Sequence, residues 1–121
     1  MRPHEKPDVW NKGIDFVIAV YKATETFPNE EKFGLTSQIG RAAVSIPTNI
    51  AEGAARRFEK EFLRFLSIAQ GSASEVPTEL LIAYRLNYID EEKHLELSNA
   101  LDEIGRMITG LSTYLKNKII E

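Results

Sequence analysis

Ser45-Ile46-Pro47-Thr48-Asn49-Ile50-Ala51-Glu52-Gly53-Ala54-Ala55-Arg56 is the stretch on which the reading of this chain turns. Ile39, Ala43, Ile46 and Ile50 recur at helical spacing on both sides of Pro47, so the apolar pattern predicts a helix that continues through the proline. Proline has no N–H for the carbonyl four residues back, that of Ala43, and its ring crowds that carbonyl. A kink is therefore expected at this point. Gly40, Ala42, Ala43 and Ala51 are small enough to let a neighbouring helix come close. The helix is expected to start at Thr36 or Ser37, and Gly53 reads as its stop or weak point.

Working outward, Asp8 is placed to cap a first helix that runs to about Thr26. Trp10, Ile14, Val17 and Tyr21 form one apolar stripe on it, and Val9, Phe16 and Val20 a second on a neighbouring face. Two stripes bury more than a bundle corner requires. The second is read either as a thicker core or as a surface that meets another subunit. Phe27-Pro28-Asn29-Glu30-Glu31 and Gly34 mark a loop. A third helix is expected from about Glu59 to Asn87, with Phe62, Phe65, Leu66, Ala69, Ala73, Val76, Leu80, Ala83 and Tyr84 inward and a second internal proline, Pro77. Asn87 to Asp90 is a short connection. A fourth helix, about Glu91 to Lys118, carries the cleanest heptad: Leu97, Leu101, Ile104, Ile108, Leu111 and Leu115. Gly105 and Gly110 weaken it by about 1 kcal/mol each relative to alanine, and are read as points of close packing. Four amphipathic helices with short links predict an all-α, antiparallel up-and-down four-helix bundle with kinked central helices. It forms one domain over residues 1–121, with residues 1–7 as a flexible lead-in.

Composition narrows the function. The chain has 121 residues and no cysteine, so disulfides and thiolate metal sites are excluded. His4 and His94 are the only histidines, too few for a histidine-based metal centre without several carboxylates. No apolar run is long enough to span a bilayer, and the N-terminus lacks the apolar segment of a signal peptide. A cytoplasmic protein is the expectation. A net charge of −3 argues against a dedicated nucleic-acid binder but leaves room for a local basic patch.

Two constellations stand out. Ser45, Asn49, Glu52 and Arg56 flank the isoleucine stripe of the second helix at steps of four, three and four, and Ser72, Glu75 and Glu79 repeat that rhythm on the third. If the two helices pack antiparallel, these rows meet along a polar seam, and Arg41 or Arg56 can reach Glu75 or Glu52. Such a seam either fixes helix register or offers a site to a ligand or partner. The second constellation is Arg56, Arg57, Lys60 and Arg64 around Phe58, a pattern suited to holding a phosphate backbone and stacking a base. Glu59 and Glu61 are interleaved and neutralise part of that field. Glu91 and His94 have the spacing of a helical di-metal motif, but as a single copy at a helix start. No phosphate loop, nucleotide fingerprint or catalytic triad order is present. No catalytic residue, cofactor, metal or small-molecule substrate is assigned.

The string Ile46-Pro47-Thr48-Asn49-Ile50-Ala51-Glu52-Gly53, followed by Arg56-Arg57 and by Lys60-Glu61-Phe62-Leu63-Arg64-Phe65-Leu66-Ser67-Ile68-Ala69-Gln70-Gly71-Ser72, resembles a bacterial four-helix bundle family. That family is named for reading frames in intervening sequences of 23S ribosomal RNA genes, and the accessory proteins of diversity-generating retroelements are related to it. Glu75, Leu80, Ile82-Ala83 and the segment from Trp10 to Tyr21 extend the likeness over most of the chain. The resemblance implies a four-helix bundle, often a homopentameric ring, no established catalysis, and a suspected nucleic-acid role among relatives. Two positions depart from the pattern. Phe58 stands where the third helix commonly opens with the serine of a capping box, and Ala55 stands where a glycine often precedes the paired arginines. The retroelement proteins are strongly basic, which this chain is not.

The expectation is thus a non-enzymatic, self-associating bundle with a structural or scaffolding role. The alternative is a module that binds structured RNA through the basic turn between the second and third helices.

Overall fold

The computed structural model describes residues 7–120. It consists of four helices: α1 (Asp8–Thr24), α2 (Leu35–Ala54), α3 (Glu59–Arg85) and α4 (Glu91–Ile119), with a single 3-10 turn at Asn29–Glu31 between the first two. The lead-in expected over residues 1–7 falls, apart from Pro7, outside the described residues. α2 packs against α1 and α3, and α4 packs against α3 and α1, which closes a four-helix ring around one core. Partners change in opposite senses along each neighbouring pair. Gly13 faces Pro47 while Tyr21 faces Gly40. Ser72 bonds Ser45, while Phe62 and Phe65 abut Gly53. Gln70 bonds Gly105, while Glu59 pairs with Lys118.

The core follows the heptads. Ile39, Ala43, Ile46 and Ile50 are fully buried, as are Leu66, Ala69, Val76 and Ala83 on α3. Leu97, Leu101, Ile104, Ile108 and Leu115 close it from α4, and Phe65, Tyr84 and Leu111 lie half-buried at its edge. Fully burying each such aliphatic side chain contributes about 1.5–3 kcal/mol. Pro47 lies inside an unbroken α2. Its ring is packed so closely on α1 that a methyl group added at Gly13 would come within 3.1 Å of Pro47 Cβ. Pro77 lies inside an unbroken α3 and is exposed.

Several expectations change. On α1 the two apolar stripes take distinct roles: Val9, Phe16 and Val20 enter this chain's own core, whereas Ile14 and Tyr21 stay exposed. The stripe read as the candidate subunit contact is therefore the internal one. Asp8 does not cap α1. It is the first helical residue, Pro7 holds the cap position, and no side chain caps the end. The acid still lies in the first turn, where the helix dipole favours it. α2 starts at Leu35, and Glu31 does the capping, since its Oε1 accepts from the Leu35 N–H at 3.2 Å. Gly53 is no stop. It is buried within α2 against Phe62 and Phe65. α3 ends at Arg85 because Asn87 has φ of 63°, which ends a helix in the left-handed region. The Asn87 N–H returns to the Tyr84 carbonyl and the Tyr88 N–H to that of Ala83. Gly105 and Gly110 are not tight contacts: an added methyl meets only Gln70 Oε1 at 3.7 Å at the first and nothing within 4 Å at the second.

One end of the bundle is tied by the α3–α4 link. Tyr88 donates its hydroxyl hydrogen to Glu31 Oε2 at 2.8 Å, its carbonyl accepts from Thr26 Oγ1 at 3.0 Å, and its ring tilts against Phe27 at 5.2 Å. Hydrogen bonding to the Glu31 carboxylate holds the Tyr88 phenol above its ordinary pKa.

Candidate functional site

Two regions hold the functional side chains singled out in the sequence. The first is the outer seam between α2 and α3. Ser45 is its centre. Its Oγ accepts from Ser72 Oγ at 2.8 Å across the seam and from Asn49 Nδ2 at 2.9 Å along α2. Asn49 Nδ2 also reaches the Ser45 carbonyl at 2.8 Å. Three short polar groups thus satisfy one another where α2 and α3 are close, and unmet partners there would cost about 1–3 kcal/mol each. At the turn end of the row, Arg56 pairs with Glu52 at 3.0 Å. Arg41 is exposed on α2 and makes no ion pair among the described residues.

The other end of the row is not balanced in this way. Glu79 is only 7% exposed, and its Oε1 has no hydrogen-bond partner among the described residues. Glu75, one helical turn earlier, is exposed. Burial first, and then the Glu75 carboxyl beside it, pushes the Glu79 pKa up to about 7. Desolvation, the hydrogen bond that the protonated carboxyl shares with Glu75, and the like charge of Glu75 all disfavour the ionised form, so the causes act in the same direction.

The second region is the basic end of the bundle. α4 ends beside the α2–α3 turn, so Tyr114 and Lys118 join Arg56, Arg57 and Phe58 around a cleft of about 80 Å³. Phe58 occupies the N-cap position of α3 and supplies no capping hydrogen bond. Its ring is exposed and lies 5.7 Å from the Arg57 guanidinium. Arg56 and Arg64 both lie 4.9 Å from the Phe65 ring. Lys118 pairs with Glu59 at 3.4 Å. The Glu59 carboxyl is held below its ordinary range, first by the backbone N–H at the helix start and then by Lys118. Lys60 is exposed and has no ion pair among the described residues.

Sequence reasoning placed the seam and the turn but missed their surroundings. Tyr114 and Lys118 are 50 or more residues from the paired arginines, and only the return of α4 brings them in. Ile18 and Val44 also escaped notice, although with Ile14 and Tyr21 they make an exposed apolar row on α1 and α2. The spacing of 14, 18 and 21 was the available signal. His94 stacks on Tyr84 at 4.8 Å with its ring nearly parallel. Among the described residues, no group of three or more His, Asp or Glu side chains is arranged to hold a metal ion. A cleft of about 640 Å³ between α3 and α4 has Asp102 and Arg106 paired with each other along α4. Gln70 bridges its wall to Thr109 Oγ1 at 2.9 Å. No helix of the described residues is long and apolar enough to cross a membrane.

No curated protein matches the chain. A crystal structure at 1.70 Å of a protein of unknown function from the S23 ribosomal protein family of Bacteroides thetaiotaomicron VPI-5482 is similar. The two superpose with a TM-score of 0.80 at 27% identity, over 87% of this chain and 95% of that one. The family model described as 23S rRNA-intervening sequence protein matches residues 5–110, a span that takes in α1, α2 and α3, both ends of the polar seam and most of α4. The chain belongs to the 23S rRNA-intervening sequence protein family.

Proposed function

We propose that this protein is a non-enzymatic, self-associating four-helix bundle whose assembly serves a structural or scaffolding role. One observation carries the reading. Ile14, Ile18 and Tyr21 on α1 and Val44 on α2 are 37%, 49%, 55% and 37% exposed, and the packing of Tyr21 on Gly40 puts them on neighbouring outer faces. A contiguous apolar surface is uncommon on a monomer and is what a protein–protein contact uses. Hydrophobic burial between copies needs no catalytic machinery, which agrees with side chains engaged in register and packing. Sedimentation velocity at micromolar concentration tests the reading: an oligomer is expected, and Ile18→Asp should dissociate it while the helical circular dichroism is retained. A monomer at that concentration overturns it.

A second reading is favoured by the basic end. There Arg57 and Lys60 are without carboxylate partners among the described residues, next to exposed Phe58 and Tyr114, an arrangement suited to a phosphate backbone with stacked bases. Binding of structured RNA would weaken steeply with salt. No binding at low ionic strength removes this reading.

A further inference from the structure

We propose that copies of this chain dock end to end, with Phe33 of one copy seated in the cleft between the α2–α3 turn and the end of α4 of the next. This contact is separate from the lateral one proposed above and stands without it. Phe33 lies in the turn just before α2 and is 90% exposed, with Lys32 Nζ 5.5 Å from its ring. No other large apolar side chain among the described residues is as exposed. Burying such a ring is strongly favourable.

The receptor lies at the opposite end of the bundle. Its floor is apolar, with Phe62 and Leu115 buried and Ala54 half-buried, and Arg57, Phe58 and Tyr114 stand exposed around it. Its volume of about 80 Å³ is far below the roughly 300–1,000 Å³ of small-molecule sites. That is the scale of one side chain. Phe33 cannot fill the cleft of its own chain, because the 20 residues of α2 hold the two about 30 Å apart. Its ring can enter only the cleft of another copy.

Charge selects that partner. Residues 22–33 and 85–96 form the Phe33 end and carry four cations and seven carboxylates. Residues 52–64 and 114–118, with Asp8, form the cleft end and carry six cations and four carboxylates. Two of those four, Glu52 and Glu59, are already paired with Arg56 and Lys118. Docking brings the exposed Glu30 toward Arg57 and Lys60, which have no carboxylate partner among the described residues. The Arg57 guanidinium also gains a second aromatic ring to lie against. A nucleic acid would match the cleft end but leave Phe33 and its acidic surroundings without a role, whereas a second copy matches both ends. Each copy offers a ring at one end and a cleft at the other, so the contact does not close on itself and builds open rows. The small area of a bundle end keeps it weak.

Sedimentation velocity of the full chain carrying Ile18→Asp, which disables the lateral face, is the test. It is run at several hundred micromolar and about 10 mM ionic strength, where charges act over ~30 Å. The mean mass should climb with concentration without a plateau, and fall toward the monomer at about 0.15 M. Phe33→Ala should weaken association by about tenfold or more, as should Arg57→Glu combined with Phe58→Glu. All three side chains are exposed, so the helical signal should not change. Mixing the two variants is decisive. The first keeps its cleft and the second keeps its ring, so together they should form a 1:1 dimer that grows no further, although neither associates alone. A protein that stays monomeric in the Ile18→Asp background overturns the end-to-end contact and leaves the lateral surface to its own test. Association unaffected by Phe33→Ala, or a mixture that stays monomeric, overturns it too. Structured RNA bound equally by wild type and Phe33→Ala, with no rows formed, assigns the cleft end to nucleic acid instead.

Discussion

Gly53→Ala probes a close approach of α2 to α3. A Cβ at position 53 would lie 2.8 Å from Phe65 Cβ, 2.9 Å from Phe62 Cδ1 and 3.2 Å from the Phe62 carbonyl oxygen. One of these is backbone and another is the first atom of a side chain, so neither can swing away. α3 starts only a few residues after α2 ends, which prevents the helices from spreading at this end. Two effects compete. Removing glycine from a helix interior gains about 1 kcal/mol. Overfilling a packed contact costs about 1–3 kcal/mol, and here it lies toward the upper end because backbone must move. The expected net loss is about 1–2 kcal/mol, which lowers Tm by roughly 4–8 °C in a domain of this size. Gly110→Ala is the matched control. It too lies inside a helix, but an added methyl meets nothing within 4 Å, so only the propensity gain of about 0.5–1 kcal/mol remains and Tm should rise. Thermal unfolding followed by far-UV circular dichroism reads both. A Gly53→Ala protein as stable as the wild type or more so would refute the close approach of α2 to Phe62 and Phe65.

Three further outcomes follow from particular contacts. Glu79 has an ordinary value near 4.5 in the unfolded chain and about 7 in the fold, so between those values the native state holds a proton that the unfolded chain has lost. Stability of the dilute protein should therefore fall as pH rises through that window, by about 3 kcal/mol, and urea titrations should find Glu79→Gln equal to wild type at pH 4 but more stable at pH 8. Asn49→Ala removes the two hydrogen bonds to Ser45, both within α2, and should cost about 1–2 kcal/mol; an unchanged urea midpoint would show that they do not stabilise the fold. Asp90 caps α4 by accepting from the Lys93 N–H at 2.8 Å, so Asp90→Ala should cost about 1 kcal/mol and Asp90→Asn much less, as read from the same midpoints.

Much of the fold was legible because helical periodicity is a property of the chain itself. The isoleucines of α2, the long stripe of α3 and the heptad of α4 each point in a single direction, and each enters the core. Element ends were less legible. The start of α2 depends on Glu31 reaching forward to Leu35, and the end of α3 on Asn87 turning left-handed, which hydrophobic spacing does not record. The polar seam was visible as a rhythm of Ser45, Asn49, Glu52, Ser72, Glu75 and Glu79. Its internal division was not. Ser45, Asn49 and Ser72 satisfy one another, whereas Glu79 is buried with its Oε1 unpartnered, and only the distance between two helices distinguishes those cases.

By itself, the sequence determined four amphipathic helices, which residues form the buried faces of α2, α3 and α4, and the family to which the chain belongs. The reason is that the spacing of apolar residues sets a direction relative to each helix's own axis. It does not say which neighbour covers that direction. α1 has two apolar stripes, and tertiary packing chose between them: Gly13 seats the ring of Pro47, Val9, Phe16 and Val20 turn inward, and Ile14, Ile18 and Tyr21 are left outside. The same packing alone brought Tyr114 and Lys118 to the paired arginines and sealed Glu79 into the seam, because residues far apart in the chain become neighbours only when the helices close on one another.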